Sequence, residues 1–335
     1  MLWGGAVPCF PRFQANSRIF RFSRNDLMAT LLFTHEACLA HDTGPYHPER
    51  PDRLRAVLEA LDDPRFAGLT RREAPEATEA QLLRAHPQSH IDAVKAAIPA
   101  EGLGGIDADT LVSPHSLAAA LRAAGAVCAA VDAVVGGEAQ NAFCAVRPPG
   151  HHAEAARAMG FCLFNSAAVG AYHARAAHGL KRVAVVDFDV HHGNGTQDIF
   201  WNDHEMFYAS THQAPLYPGT GAANERGLDN ILNVPLPPLA DGEAFRHAFA
   251  EHLLPALTEF RPDLVIISAG FDAHKDDPLA ALCLEEEDFA WATRELMRLA
   301  AYQCGGRLVS TLEGGYDLDA LGRSAAAHVA ALMGQ

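Results

Sequence analysis

The sequence predicts an α/β fold, a mostly parallel sheet flanked by helices. Three observations carry that expectation. Strand-like and helix-like segments alternate along most of the chain, as in successive β-α-β units. Several short apolar runs, Val183 to Val186 and Leu264 to Ser268 among them, are continuous, not alternating, which suits strands buried on both faces of a parallel sheet. With 335 residues, 49% of them apolar, the chain can bury one large core without a linker.

Taken in order, Thr30 to Thr34 reads as the first strand. A long irregular loop follows from His35 to Pro51, carrying His41, Asp42, His47 and Glu49, and loops of this kind rim active sites. Helical spacing covers Arg53 to Leu61, and again Ala77 to Ile98 with a break at Pro87. Gly102 to Ser113 is a second acidic, glycine-bearing loop, in which Asp107 and Asp109 suit a cationic substrate, its backbone amides, or ordinary turn chemistry. Leu117 to Val135 is an alanine-rich helix without visible chemistry.

The buried strand Asn141 to Val146 delivers Arg147, Pro148, Pro149, Gly150, His151 and His152 at its carboxyl end. The prolines and glycine make a rigid turn that leaves the two imidazoles little freedom. Two readings stay open for them, a metal site or an acid–base dyad. Gly160, Phe161 and Cys162 follow, with Phe161 either walling a narrow pocket or packing in the core. Asn165 and Ser166 then cap a helix running to about His178.

Val183 to Val186 is the strand on which the chain is organised. Asp187, Asp189, His191 and His192 appear where it runs out, and Gly193, Asn194 and Gly195 turn the chain at once. In an open parallel sheet, ligands bind outside the carboxyl ends of the strands. Asp189 and His191 are two apart, so on extended backbone they point to one side as a chelating pair. Asp187 lies one pleat deeper, better placed to orient a ligand or a base.

Beyond it, Phe207 to Thr211 is a strand with Ser210 and His212 at its end. Tyr217 to Gly221 is a loop on the same face, and Asn230 to Leu236 adds another strand. Asp241 caps a helix that runs towards Phe260 and is stopped by Pro262. The apolar strand Leu264 to Ser268 ends at Asp272, a third carboxylate at a strand end, and Asp276, Asp277 and Pro278 continue the loop. Glu285 to Asp288 complement the dipole at the first turn of a long helix. The last strand, Arg307 to Thr311, leads through Glu313, Gly314 and Gly315 to Tyr316, whose hydroxyl would polarise a carbonyl or simply face solvent.

Composition narrows the function. A formal charge of −15 argues against binding a nucleic-acid backbone and favours cationic substrates, or mere solubility. The cysteines (Cys9, Cys38, Cys128, Cys144, Cys162, Cys283, Cys304) form no CxxC pair and sit mostly in apolar segments, as expected of buried thiols in a reducing compartment such as the cytoplasm. No apolar run reads as a membrane span of about 20 residues. Over residues 1–27, Arg12, Arg18, Arg21 and Arg24 occur with no acid before Asp26. We expect an N-terminal extension there, disordered or upstream of a natural start at Met28, and one catalytic domain over residues 28–335.

Taken together, Pro149 to His152, Gly160 to Cys162, Asp187 to Gly195, Tyr217 to Gly221, Gly270 to Asp272 and Gly314 to Tyr316 resemble the histone deacetylase family of zinc amidohydrolases. They stand in that family's order from Thr30 to the end. His47 to Pro51 and the Gly-Asn-Gly after the histidines resemble its class II and bacterial deacetylase-like branch. The resemblance implies an arginase-like three-layer sandwich on a mostly parallel, eight-stranded sheet. It implies one catalytic zinc on Asp189, His191 and Asp272, with His152 as general base, His151 as its electrostatic partner, and Asp187 accepting from His151. Asn194 stands where some members place an acid behind the second histidine. The resemblance further implies that Tyr316 donates to the oxyanion, that Phe161, Tyr217, Leu279, Gly160 and Asp109 contact substrate, and that Arg53 lines an internal product channel. It also implies a structural potassium ion around Asp187, Asp189, His191, Ser210 and Thr211.

The function expected from this set is removal of an acetyl or other short acyl group from N-acyl-lysine in proteins or peptides. An acetylpolyamine amidohydrolase is the alternative, supported by the acidic loops at Asp107, Asp109 and Asp276. A non-catalytic acyl-lysine binder and a two-manganese ureohydrolase-like site are the remaining readings, the latter short of bridging acids.

Overall fold

The structure is a computed structural model and describes residues 29–335. The extension expected over residues 1–27, and the start expected at Met28, lie outside the described residues. The fold is built on an eight-stranded sheet. Its strands are β1 (Thr30–Thr34), β2 (Thr70–Glu73), β3 (Asn141–Cys144), β4 (Val183–Asp187), β5 (Met206–Gln213), β6 (Ile231–Leu236), β7 (Leu264–Ala269) and β8 (Leu308–Leu312). They lie in the order β2-β1-β3-β8-β7-β4-β5-β6, and every pairing is parallel. All the carboxyl ends therefore open on one edge.

The fully apolar runs became the central strands, and every residue of β3, β4, β7 and β8 is buried. One strand of this sheet was not anticipated. β2 reads Thr-Arg-Arg-Glu and is largely exposed at the sheet's edge, with Arg71 paired to Asp62 and Arg72 to Glu138. Charged side chains of this kind blunt an edge, and they erase the apolar signal by which a strand is read.

The helices that matter for the site are α1 (Pro51–Ala60), α2 (Gln88–Ala97), α3 (Ser116–Val135), α4 (Ser166–His178), α5 (Asn194–Phe200), α6 (Gly242–Ala248), α7 (Glu286–Cys304) and α8 (Leu318–Leu332). α3 and α4 pack together on one face of the sheet; α7 and α8 pack together on the other, with α1 against α8. α6 continues through a π-helical turn, Phe249–Leu253, into Leu254–Phe260, so the segment capped by Asp241 does reach Phe260. α8 completes the outer layer and was not anticipated. Asn165 caps α4 by accepting from the Ala168 amide, as expected.

Contrary to expectation, α3 is long and apolar enough to cross a membrane. Its apolar residues are spent on β1, β3, β8 and α4, which makes it a core helix of this sheet. Small residues let it come close. A Cβ built on Gly125 would overlap the carbonyl oxygen of Pro75, and one on Gly170 of α4 would overlap Val127 of α3. Gly125→Ala should therefore destabilise the fold by about 1–3 kcal/mol, the usual cost of overpacking, although alanine is the better helix former by ~1 kcal/mol. A urea midpoint equal to or above that of the unmodified protein would contradict the close approach.

Candidate active site

β3, β8, β7 and β4 are neighbours in that order, and each delivers part of one cluster from its carboxyl end. β4 ends at Asp187, and Asp189 and His191 stand on the bend beyond it, not on extended strand. Their convergence is set by local hydrogen bonds. The Asp189 amide donates to Asp187 Oδ1 (3.1 Å), the His191 amide to Asp189 Oδ1 (2.9 Å) and the Val190 amide to Asp272 Oδ1 (2.9 Å). The result places His191 Nδ1 3.1 Å from Asp189 Oδ1 and 3.0 Å from Asp272 Oδ2, with all three side chains buried. Gly314 closes the cluster: its amide donates to Asp189 Oδ2 (2.8 Å), and a Cβ there would overlap the Asp272 carboxylate.

Burial works against charge on His191, yet Asp189 and Asp272 push it up to about 10. Burial also raises Asp272, reinforced by the charge of Asp189. Two carboxylates and one imidazole aimed at a common point match the donor set of a divalent transition ion. A second grouping, Asp132, His173 and His178, has similar composition. Arg84 donates to His173 Nδ1 (2.5 Å), which leaves Nε2–H to donate to Asp132 (2.7 Å), so this grouping is an ion-paired hydrogen-bond network.

The adjacent histidines have unlike partners. His151 Nδ1 lies 2.9 Å from Asp187 Oδ2, which also accepts from the Tyr208 hydroxyl (3.0 Å). His152 Nδ1 lies 2.9 Å from Asn194 Oδ1. Since Asn194 Nδ2 donates to Glu154 (2.9 Å), its Oδ1 is the acceptor, and His152 is protonated on Nδ1 with a free lone pair on Nε2. Burial opposes a proton on His151, but Asp189 and Asp187 together raise it well above the usual histidine range. Burial lowers His152, and the neighbouring His151 and His191 lower it further, well below that range. Two imidazoles tilted at 43°, centroids 4.0 Å apart, thus hold one proton donor and one base.

Tyr316 is held by residues distant in sequence. The fully buried Arg53 donates to the Gly315 carbonyl (2.5 Å) and the Glu313 carbonyl (2.5 Å), and its guanidinium lies 4.8 Å from the centre of the Tyr316 ring. Arg53 also pairs with Glu49 (3.0 Å), which takes a second, bidentate pair from Arg147, one arm at 2.8 Å. Burial alone would raise the Glu49 carboxyl; Arg147, His41 and Arg53 hold it well below the usual range. Arg53 is thus a buried support beneath Tyr316, a role the expected product channel did not include. Glu313 supports the dyad: one of its oxygens accepts from the amides of Gly150 (2.6 Å) and His151 (3.1 Å), and burial pushes its carboxyl up to about 7.

A cavity of about 240 Å³ opens above this cluster, lined by His152, His191 and Tyr316 at its base and by Asp109, Gly160, Phe161, Leu216, Tyr217 and Leu279 above. Every residue expected to contact substrate lines it; Leu216 was not singled out. Phe161 stands edge-on to Tyr316 at 6.0 Å, and Tyr217 edge-on to His152 at 5.1 Å. A Cβ on Gly160 would come within 2.6 Å of the His152 ring, so the wall depends on glycine there. His47 steadies the rim, edge-on to Phe161 at 4.7 Å and bonded to the Asp109 carbonyl at 2.9 Å.

The other expected residues fall elsewhere. Asp107 accepts from the amides of Asp109 (3.2 Å) and Thr110 (2.7 Å), which is turn chemistry. Asp276 pairs with Arg323 (3.4 Å) and His274 (3.6 Å) and does not line the cavity. Ser210 lies directly beside Asp187 in the β4–β5 register, where the potassium was expected, and its hydroxyl is 2.9 Å from His212 Nδ1. The Thr211 side chain is on the opposite face, so only its main chain suits that site.

Residues 47–332 match the histone deacetylase domain. The chain is 42% identical to an uncharacterized protein of Synechocystis, over 89% of this chain and 97% of that protein. It is 40% identical to the histone deacetylase-like amidohydrolase of Pseudomonas aeruginosa, over 86% of this chain and 81% of that one. The crystal structure of the HDA15 HD domain superposes with a TM-score of 0.88 at 38% identity, covering 92% of this chain and 89% of that one.

A divalent ion held by Asp189, His191 and Asp272 must displace the His191 proton. That proton is retained up to about pH 10, so affinity should rise with pH below that value, by about tenfold per unit for one proton released. Competition with a chromogenic chelator at several pH values measures this. A flat profile would remove His191 from the ligand set, and Asp272→Asn should weaken binding roughly 100-fold or more.

Proposed function

The chain belongs to the histone deacetylase family of deacetylases and amidohydrolases, and from that premise we propose that it is a zinc-dependent deacylase removing acetyl or another short acyl group from N-acyl-lysine in proteins or peptides. The observation that carries this reading is the cavity itself: a passage walled by Phe161 and Tyr217 that ends on His152, His191 and Tyr316. Aromatic walls suit an unbranched alkyl stem, and the base of the passage suits the amide at its tip.

Asp189, His191 and Asp272 would hold the zinc. When bound, zinc supplies Lewis acidity to the acyl carbonyl and lowers the pKa of a water. His152 Nε2, neutral and facing the cavity, takes the proton of the attacking water. His151, kept protonated by Asp187 and Asp189, places positive charge beside the developing negative charge. The Tyr316 hydroxyl donates to the oxyanion, and the proton taken up by His152 passes to the amide nitrogen as the C–N bond breaks, releasing the lysine amine and the carboxylate. At the rim, Asp109 is placed to accept from the substrate's backbone amides. Leu279 is an apolar part of the lip, and among the described residues that line the cavity Asp109 is the one carboxylate available to a second ammonium, which favours acyl-lysine over acetylpolyamine.

Turnover of an acetyl-lysine peptide beside acetylspermidine and acetylputrescine, with a hydroxamate as control, tests the reading. Hydroxamate-sensitive release from the peptide is expected; release only from the small amines would move the substrate class, and none from either would sink the enzyme reading. Tyr316→Phe should lower kcat roughly 10²–10³-fold, and His152→Ala should abolish turnover.

The pH profile tests His152 separately. It must be neutral to act as a base, and its depressed pKa keeps it neutral into the acid range. Asn194→Asp would stabilise the imidazolium and raise that pKa, so the acid limb of kcat/KM should move to higher pH. An unmoved limb would mean that another group controls it.

A further inference from the structure

We propose that Asp277 is a positioning residue for this reaction: its carboxylate joins the segment bearing Tyr316 to the segment bearing Leu279, and so sets where the tyrosine hydroxyl stands over the cavity. The proposal rests on the deacylase reading above. Asp277 is 7% exposed, and its two oxygens face different segments. Oδ2 accepts the amide of Tyr316 (2.7 Å) and, more weakly, that of Asp317 (3.3 Å); Oδ1 accepts the amide of Leu279 (3.0 Å). Among the described residues, no arginine, lysine or histidine pairs with it. Its oxygens are met by main-chain amides, two of which belong to residues that line the cavity.

The need for such a tie follows from the backbone. Tyr316 comes after Gly314 and Gly315, the latter at a φ of 122°, so the segment has little conformational preference to hold it. Arg53 fixes it through the carbonyls of Glu313 and Gly315, and Asp277 fixes it through the amide of Tyr316. The tyrosine is therefore gripped on main-chain groups of both polarities. Beyond it, Asp317 caps α8 by accepting from Ala320 (2.8 Å), which anchors the chain on the far side. Releasing the Tyr316 amide frees the residue to shift, and displacement of a reacting group by about 1 Å costs on the order of 10²-fold in rate.

The test is a double-mutant cycle on the zinc-loaded full chain with the acetyl-lysine peptide. Asp277→Asn should lower kcat by roughly 10–100-fold while KM changes by less than about threefold. In a Tyr316→Phe background the same substitution should cost less than about threefold further, because the group it positions is already gone. An equal loss in both backgrounds, or no loss in the unmodified background, would overturn the proposal. A second reading does not depend on turnover: with 3-fluorotyrosine at position 316, Asp277→Asn should shift or broaden the ¹⁹F resonance, and an unchanged resonance would overturn the proposal even if the deacylase reading fails. Should Asp277→Asn not fold, Asp277→Glu, which keeps the charge and moves it by one methylene, is put through the same measurements with the same criteria.

Discussion

Negative charge concentrated at the buried ends of three neighbouring strands, β8, β7 and β4, is the constraint on which the rest of the structure depends. Asp187, Asp189, Asp272 and Glu313 are each at most 1% exposed, and the equally buried Glu49 stands behind them. An isolated carboxylate in such a place costs several kcal/mol unless donors meet it. Here the donors are of two kinds. Arg53, Arg147, His151 and His191 bring formal charge, and the amides of Gly150, His151, Asp189, Val190, His191 and Gly314 bring dipoles. Those amides are free to point inward because the strands have ended. The fold therefore supplies, at its carboxyl edge, many main-chain donors not used by the sheet in a dry environment.

The unequal dyad is a consequence of the same charge distribution. His151 and His152 are consecutive, in ring contact and both buried, so desolvation acts on each in the same direction. What separates them is that Nδ1 of one meets Asp187 and Nδ1 of the other meets Asn194. A carboxylate holds a proton on the first ring, and the resulting cation expels a proton from the second. Substituting one partner thus changes both histidines, and the amide at Asn194 is as much part of the base as the ring itself.

Much of this was legible in the sequence because it is local. Continuous apolar runs marked β3, β4, β7 and β8, and charged residues placed directly after them marked the site. Asp189 and His191 were read as neighbours from strand alternation, and they are neighbours, although hydrogen bonds in a bend now bring them together. What escaped is non-local or silent. Glu49 and Arg147 are 98 residues apart, and nothing in either motif names the other. Glu313 and Asp277 act on main-chain amides, which every residue possesses, so no partner residue type could reveal them. β2 escaped because an exposed charged edge carries no apolar pattern.

The supports that escaped share a purpose. The carboxylates of Asp189 and Asp272 repel one another, and a cluster of this kind holds its shape only if the surroundings over-determine it. Glu49 with its two guanidiniums, Glu313 beneath the dyad turn, and Gly314 against Asp189 and Asp272 each tie one strand end to another across the sheet order. Arg53 belongs to α1, outside the sheet, and reaches Glu49, Glu313, Gly315 and Tyr316 together. One helix therefore couples the loop after β1 to the segment after β8. Free energy lost to crowding like charges is offset by these ties and by the core they extend, and the geometry at the base of the cavity is accordingly a property of the whole sheet edge, not of the residues that line it.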